Sequence, residues 1–454
     1  MASRRFALGS VALAALVVLA GCSAAFGDDE SLIEPPTDHA EGDPGRDKLG
    51  WEGGYWYDDP VAVNASDGYN ESERAALVNR TMARVEQIRQ LEFEESVPVD
   101  VISREQYRAN RSGGGGSATF QAWNDQVWEG LFIVPESTGS SESFDQTLGE
   151  SVLGYYSPGE DAIVIVSDSP TPQISNATLA HELVHALQDQ HFDFPAPDTQ
   201  DRQLAADSVV EGEANFVESV YTDRCGDVWS CLPRPESGSG GSGGGSVNRG
   251  LLLTILTPYT AGQAFVESVY DDRGWTGVSD LHEDEPASTE QVIHPDRYPD
   301  ERPVNVTVTD RSSGEWDRYD HDPVADTVGE ASIYAMFLDN GVISTEDVYS
   351  YESDPSEGWA GDALVPYTDG NETDGEGAYV WQTRWDTTED AREFRRAYRD
   401  LLREHDARSE GSNVYVVPED DPYGDAFRVV RDGRTVRVVN APTVADLDAV
   451  HDAG

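Results

Sequence analysis

Apolar residues recur at helical spacing in several parts of the chain. In residues 71–92, one side of the pattern consists of Ala75, Leu77, Met82, Val85, Ile88 and Leu91. A period close to 3.6 residues is typical of an amphipathic helix that covers a core. We also predict helices over residues 176–190, 202–222, 248–271 and 325–339.

Continuous and alternating apolar runs predict strands in two other regions. The segment "LGYYSPGEDAIVIVSDS", residues 153–169, predicts two strands around a turn, the second over residues 162–166. From about residue 375 the pattern predicts a strand in "AYVWQTRW", a helix in "TEDAREFRRAYRDLLREH" and a hairpin that turns at Asp432 and Gly433. Helices and strands in separate stretches of chain are typical of the α+β class.

The composition is that of a folded, strongly acidic protein. The chain has 454 residues and a net charge of −55, and of its 31 basic residues only Lys48 is a lysine. Hydrophobic residues make up 38% of the chain and Trp 10 positions, so two or three domains with sizeable cores can form. The negative charge excludes nucleic acid as a partner, because phosphates are repelled. Salt screens such self-repulsion, so we expect a halophilic source.

The N-terminus has the features of an export signal. Two arginines, residues 4–5, precede an apolar run over residues 11–20 that is too short for a good membrane span. The run ends in "LAGC", which resembles a lipobox, and the paired arginines resemble a twin-arginine signal. We therefore predict a signal peptide over residues 1–22, a lipid on Cys22, and a location on the extracellular face of the cytoplasmic membrane. An uncleaved anchor helix is the alternative, and it also places the protein outside the cytoplasm.

Export also bears on the other two cysteines and on the segment after the signal. Lipidation of Cys22 leaves Cys225 and Cys231, and in an exported protein such a pair predicts a disulfide. Residues 23–49 are rich in Asp, Glu, Pro and Gly, which predicts a disordered acidic tether between the lipid and the folded part. The membrane is then contacted through the lipid anchor alone.

The segment "LAHELVHALQDQHFD", residues 179–193, carries a pattern suited to metal chemistry. His181 and His185 lie one helical turn apart and project to the same side, so both can bind one zinc ion. Glu182 is rotated by about 100° from His181, which puts it beside the metal, where it can take a proton from metal-bound water. The alternative is a solvated helix face that happens to carry histidines.

A catalytic zinc needs a third protein ligand, and the segment "VVEGEANF" offers one. With it, the chain resembles the gluzincin metallopeptidases, in which H-E-x-x-H is followed by E-G-x-A on a second helix. The resemblance implies that Glu211 is the third ligand, and that the small residues Gly212 and Ala214 let the second helix approach the first. Glu213 is the rival ligand, on nearly the opposite side of the helix. Asn215 could orient a ligand histidine, and core or surface roles fit it equally.

Three other segments resemble an uncharacterised haloarchaeal surface lipoprotein family with a zincin-like core: "GWEGGYWYDD" (50–59), "PASTEQVIHPDRYPDERPVNVTV" (286–308) and "VWQTRWDT" (380–387). The resemblance implies a zincin-like metallopeptidase domain over residues 50–345, with a mixed sheet and active-site helices. An additional α+β region follows over residues 346–454. His294 is then a candidate hydrogen-bond donor to the transition state, as in some gluzincins, or a residue that caps the turn at Pro295.

Together these features predict an extracytoplasmic zinc-dependent peptidase with a peptide or protein substrate. Zinc is expected on His181, His185 and Glu211, and Glu182 is expected to act as general base on the zinc-bound water. We expect an extended peptide to pair with the strand at residues 162–166. The alternatives are a non-catalytic cell-surface or envelope binding protein on the same fold, and hydrolysis of another kind of bond. Glu182 favours an enzyme, because a structural zinc site needs the histidines but not this glutamate.

Overall fold

The computed structural model describes residues 47–452, except positions 62, 64–66, 112–115, 149–151, 170, 195, 233–246, 315 and 371–374. Helices and several sheets make up this part, which confirms the α+β class. The predicted signal peptide, the lipidated Cys22 and the tether up to residue 46 lie outside the described residues. Among the helices of the described part, none has the length and apolar character needed to cross a membrane.

The helices and strands are numbered in chain order. The helices are α1 Glu71–Arg89, α2 Arg104–Arg111, α3 Ala118–Gly130, α4 Ser140–Leu148, α5 Asn176–His191, α6 Gln200–Asp223, α7 Arg249–Leu256, α8 Ala261–Leu281, α9 Thr289–Ile293, α10 Gly329–Asp339, α11 Asp390–Glu404 and α12 Leu447–Val450. The strands are β1 Trp51–Glu52, β2 Tyr55–Trp56, β3 Val99–Ile102, β4 Gly154–Ser157, β5 Ala162–Val166, β6 Asp317–Arg318, β7 Trp359–Thr368, β8 Gly377–Trp385, β9 Arg408–Ser409, β10 Val414–Val416, β11 Ala426–Asp432 and β12 Thr435–Ala441.

A three-stranded mixed sheet and helices α1, α5 and α6 form the first core. The strand order is β3-β5-β4, with β3 parallel and β4 antiparallel to β5. Every residue of β5 is buried, as expected for a central strand without alternating polar positions. Met82 of α1, Leu183 of α5 and Val217 of α6 share one buried cluster with Ile163 of this strand. The cluster fixes α5 against α6, the two helices that carry the predicted zinc ligands.

A seven-stranded antiparallel sheet dominates the C-terminal part. Its order is β6-β7-β8-β12-β11-β10-β9. Helices α3 and α11 cover one face, where Trp381 and Tyr398 belong to a large aromatic cluster. Helix α12 covers the other face with Leu447, which packs near Val380. β6 begins at Asp317, before the predicted domain boundary at residue 345, and pairs with β7 of the same sheet.

Most of the predicted elements are present near their predicted bounds, including α1, α5, α6, α10, α11 and the strand pair β4–β5. The hairpin β11–β12 is also present, with Gly433 and Arg434 as its turn. The single helix predicted over residues 248–271 is wrong, because α7 ends at Leu256 and α8 begins at Ala261. Pro258 lies in this break, and proline cannot donate the main-chain hydrogen bond that a helix interior needs.

Candidate metal centre

Helix α5 holds the H-E-x-x-H motif inside the protein. The helix begins after Ser175, whose hydroxyl accepts a hydrogen bond from the amide of Thr178. Its leucine stripe is part of the first core. His181, Glu182 and His185 are 1%, 3% and 5% exposed, so the alternative of a solvated helix face is wrong.

Helix α6 brings Glu211 to the two histidines. The Nε2 atoms of His181 and His185 are 3.1 Å apart, and Glu211 Oε2 lies 3.2 Å from the first and 3.3 Å from the second. A tetrahedral zinc with bonds of about 2.0–2.1 Å separates neighbouring ligand atoms by about 3.3–3.4 Å. The spacing and the donor set, two imidazoles and one carboxylate, therefore fit a zinc ion with one open position.

A polar side chain lies behind each histidine, and for His185 it forms a hydrogen bond. His185 Nδ1 lies 3.0 Å from Gln188 Oε1, which can only accept a hydrogen bond, so Nδ1 is the donor and Nε2 is the atom that faces the cluster. His181 Nδ1 lies 3.3 Å from Glu218 Oε2. A carboxylate or carbonyl oxygen behind a ligand histidine is a common feature of zinc sites. Glu218 was not among the residues predicted from the sequence, although it lies seven residues after Glu211 on the same side of α6.

Glu182 lies beside the three converging atoms but is not one of them. Its Oε2 accepts a hydrogen bond of 2.8 Å from the amide of Tyr156 in β4. Its Oε1 is buried and has no hydrogen-bond partner among the described residues. Burial raises the pKa of this carboxyl, and the two histidines of the motif counteract that effect. The group thus has one anchored oxygen and one oxygen available to a proton.

The electrostatics of the cluster favour positive charge where its atoms meet. Burial alone would raise the pKa of Glu211, but His185 and His181 outweigh it and lower that pKa to about 2. Burial alone would lower the pKa of His181, but Glu211 and Glu218 outweigh it and raise that pKa well above its usual value. A divalent cation bound between these atoms would supply this positive charge, so the histidines would not need to be protonated.

The rival ligand Glu213 points away from the cluster into a different network. Its carboxylate forms an ion pair with the buried guanidinium of Arg89 and lies 2.6 Å from His282 Nε2. It also accepts a hydrogen bond of 2.9 Å from Gln188 Nε2. Because Gln188 contacts His185 through its other amide atom, Glu213 supports a ligand histidine through one intermediate residue. The structure thus brings Glu211, and not Glu213, to the two histidines of the motif.

Tyr259, in the break between α7 and α8, covers the cluster. Its ring lies nearly parallel to that of His181, with centroids 6.5 Å apart. Burial and the charge of Glu211 raise the pKa of its hydroxyl well above the usual value, so it remains a proton donor. Asn215 donates a hydrogen bond of 2.7 Å to the main-chain oxygen of Tyr259. The hydrogen bond described for Asn215 thus holds the tyrosine segment, and its suggested role in orienting a ligand histidine stays a prediction.

The small residues of the E-G-x-A motif face two different helices. Ala214 is fully buried in the core that α6 shares with α5, as predicted. Gly212 instead faces α8, where a Cβ atom would lie 2.4 Å from the main-chain oxygen of Gly262. The backbones of α6 and α8 therefore touch at Gly212 and Gly262, three residues after Tyr259. The prediction that Gly212 eases the approach of α6 to α5 is wrong.

We expect Gly212→Ala to lower the free energy of unfolding by about 1–3 kcal/mol, the usual effect of overpacking. The methyl group meets main-chain atoms of α8, which cannot rotate away, so the whole helix must shift. Urea unfolding measures the change. Gly159→Ala is the matched control, because a Cβ atom at Gly159 meets nothing within 4 Å. Equal stability of the two variants would contradict the close contact.

His294 lies in a separate buried network. Its Nε2 is 3.2 Å from Glu330 Oε1 of α10, and its described contacts include none of the metal-centre residues. Its suggested role as a hydrogen-bond donor to the transition state therefore has no geometric support. A structural role next to Pro295 agrees with its position at the end of α9.

A second group of side chains has metal-like spacing: Glu290, Glu301 and Asp386. Arg297 pairs with Glu290 and lies 3.9 Å from both Glu301 and Asp386. The guanidinium already supplies positive charge to these carboxylates, which form an ion-pair network.

Cys225 and Cys231 are joined by the predicted disulfide, with an S–S distance of 2.04 Å. The bridge closes a short loop directly after α6, and Trp229 in this loop packs on Tyr221 near the end of that helix. The disulfide thus closes the loop on itself, and Trp229 packs this loop against the helix that carries Glu211.

The strand predicted to pair with a peptide is not accessible for that role. β5, residues 162–166, has β3 on one side and β4 on the other, so both of its main-chain edges are occupied. The edge strand nearest to Glu182 is β4, whose Tyr156 amide binds this carboxylate. The most apolar strand was predicted to bind the peptide. This strand is apolar because it is buried in the centre of the sheet, so it has no free edge.

A match with a known family covers the C-terminal part of the chain. Residues 317–451 match the family described as a domain of unknown function, DUF8575. This range contains the seven-stranded sheet with α10, α11 and α12, and the metal-centre residues lie outside it. No curated protein and no solved structure matches the chain.

Proposed function

We propose that the protein is a lipid-anchored, extracytoplasmic zinc peptidase of gluzincin type with a zincin-like core. The observation that carries this proposal is the buried Oε1 atom of Glu182, which has no hydrogen-bond partner among the described residues. Burying a polar atom without a hydrogen-bond partner lowers the stability of the fold by about 1–3 kcal/mol. A site that only binds metal does not require such an atom. A carboxylate that receives its proton only during the reaction accounts for the cost.

His181, His185 and Glu211 hold the zinc in this proposal. When bound, zinc lowers the pKa of a water molecule toward 7 and polarises the scissile carbonyl. Glu182 accepts the proton of the attacking water on Oε1 while the Tyr156 amide holds Oε2. The same carboxyl then gives this proton to the amine that leaves, so that Glu182 ends the cycle unprotonated.

We assign the substrate backbone to the open edge of β4. The amide of Tyr156 points to this edge, and Gly154, two residues earlier, presents its main-chain groups to the same side. A peptide that extends the sheet by one strand along β4 runs past Glu182. The short edge offers few main-chain hydrogen bonds, so side-chain contacts must add to the affinity.

Tyr259 is the residue that we assign to the developing negative charge on the substrate. We expect Tyr259→Phe to retain zinc and KM, and to lower kcat by up to about 10²-fold, because it removes one hydrogen-bond donor to the oxyanion. Steady-state kinetics and metal analysis of the purified variant measure both effects. A kcat equal to that of the wild type would remove Tyr259 from the mechanism.

Metal analysis of the full-length protein in high salt, combined with a mixture of diverse peptides read by mass spectrometry, tests the proposed function. We expect one zinc per chain, cleavage of some peptides, loss of cleavage with 1,10-phenanthroline, and recovery after addition of zinc. Zinc binding without cleavage of any peptide would favour the non-catalytic surface-binding protein.

A further inference from the structure

Helix α1 carries three buried arginines with different surroundings. Arg89 pairs with Glu213. Arg84 donates hydrogen bonds to the main-chain oxygens of Tyr57 and Ser230, at 2.7 and 3.1 Å, and to the hydroxyl of Tyr221 at 2.9 Å. Arg80 differs from both, because two of its guanidinium nitrogens have no hydrogen-bond partner among the described residues.

The guanidinium of Arg80 has unused donors in the interior. The residue is 2% exposed, and its Nε and one terminal nitrogen are buried without any hydrogen-bond partner among the described residues. No carboxylate of the described part forms an ion pair with it. The chain has 86 acidic and 31 basic residues, so carboxylates are plentiful, and their absence here sets this arginine apart. A buried charge without a partner is strongly unfavourable unless something balances it.

The groups that act on the charge of Arg80 are Arg84 and Tyr221, and neither is a carboxylate. Arg84 lies one helical turn away on the same side of α1, and its positive charge adds to the effect of burial in lowering the pKa of Arg80 to about 10. Arg80 therefore stays charged at neutral pH. Tyr221 is fully buried close to both arginines, and its hydroxyl accepts a hydrogen bond from Arg84. Its own proton has no acceptor among the described residues.

We infer that Arg80, Arg84 and Tyr221 form a binding site for one small monovalent anion of halide type, with chloride as the natural ligand. Of the described carboxylates, Asp58 acts on the charge of Arg84, but none is among the groups that act on Arg80. The two buried donors of Arg80 therefore remain for a ligand from outside the chain. All three residues are at most 2% exposed, so an anion bound there must be small and must lose its water shell, which favours a halide over a large organic anion.

Such an anion would join three parts of the structure. Arg80 and Arg84 belong to α1, Tyr221 to the end of α6, and Ser230 to the disulfide loop. Because α6 also carries Glu211, the anion stabilises the packing that supports the metal centre. The increase of stability with salt that we expect for this acidic protein then has two causes, chloride binding at this site and general screening of charge.

Thermal unfolding at constant sodium concentration, with chloride replaced stepwise by gluconate, tests the site. Binding to the native state alone raises the unfolding temperature of the wild type by about 1–2 °C for each tenfold increase in chloride above saturation. Arg80→Leu should abolish this dependence, and in gluconate it should be at least as stable as the wild type, because leucine needs no counter-ion. Arg392→Leu, at an arginine that is 52% exposed, is the control and should keep the dependence.

Bromide provides a second measurement on the unmodified protein. Crystals grown in sodium bromide should give an anomalous peak within hydrogen-bond distance of Arg80 and Tyr221. The absence of this peak, or a full chloride dependence in Arg80→Leu, would overturn the proposal. If Arg80→Leu does not fold, the bromide experiment decides alone.

Discussion

The Glu182→Gln variant is expected to retain zinc and to lose turnover by about 10²–10⁴-fold, the usual contribution of a positioned general base. Glutamine can still accept the hydrogen bond from the Tyr156 amide through its carbonyl oxygen, so the fold of the site is kept. It cannot accept a proton from water at neutral pH. His181, His185 and Glu211 are unchanged, so the metal content should be that of the wild type.

Metal analysis and peptide cleavage must be measured on the same preparation of this variant. Glu105→Gln, an exposed position on α2, is the control for the loss of one negative charge and should behave like the wild type. Loss of zinc together with activity would make Glu182 a ligand or a structural support. Turnover within a few-fold of the wild type would refute the proposed general base.

Glu211→Ala and Glu213→Ala are expected to have opposite effects on metal content and on stability. Glu211→Ala removes an atom of the converging triangle, so zinc should be lost on dialysis and activity with it. Glu213→Ala should keep zinc but lose about 3–5 kcal/mol of unfolding free energy, because it leaves Arg89 buried without its carboxylate. The two glutamates lie two residues apart on one helix, so each variant is the control for the other.

Zinc content after dialysis and denaturant unfolding in high salt measure this pair of variants. Because zinc stabilises the native state that binds it, Glu211→Ala should be compared with zinc-free wild type in the unfolding experiment. Equal zinc content in the two variants would count against Glu211 as the third ligand. If Glu213→Ala is as stable as the wild type, the described network around Arg89 is wrong.

The local part of the candidate site could be predicted from the sequence because it depends on helical geometry. His181, Glu182 and His185 lie within one turn of α5, so a spacing of four residues fixes their common side before any tertiary contact forms. The choice between Glu211 and Glu213 depended on a motif, and the structure agrees that the two face different surroundings. Glu218 follows the same helical rule, at seven residues from Glu211, and could have been found.

Other members of the site depend on long-range packing that no local pattern encodes. Tyr259 reaches His181 only because Pro258 breaks the helix and because Gly212 and Gly262 let α8 touch α6. Long-range packing also explains why the prediction of β5 as the peptide-binding strand was wrong. A run of apolar residues indicates burial, but which strand lies at the edge of a sheet depends on the order in which strands pair.

The α+β class, the main helices and the H-E-x-x-H motif were predictable, because these follow from periodicity and from spacing within single elements. Which buried charges have partners became known only from the packing of distant segments. Arg89 meets Glu213 across two helices, whereas Arg80 on the same helix meets no carboxylate of the described part. The physical reason is that the cost of burying a charge depends on the few atoms around it, and those atoms come from distant parts of the chain.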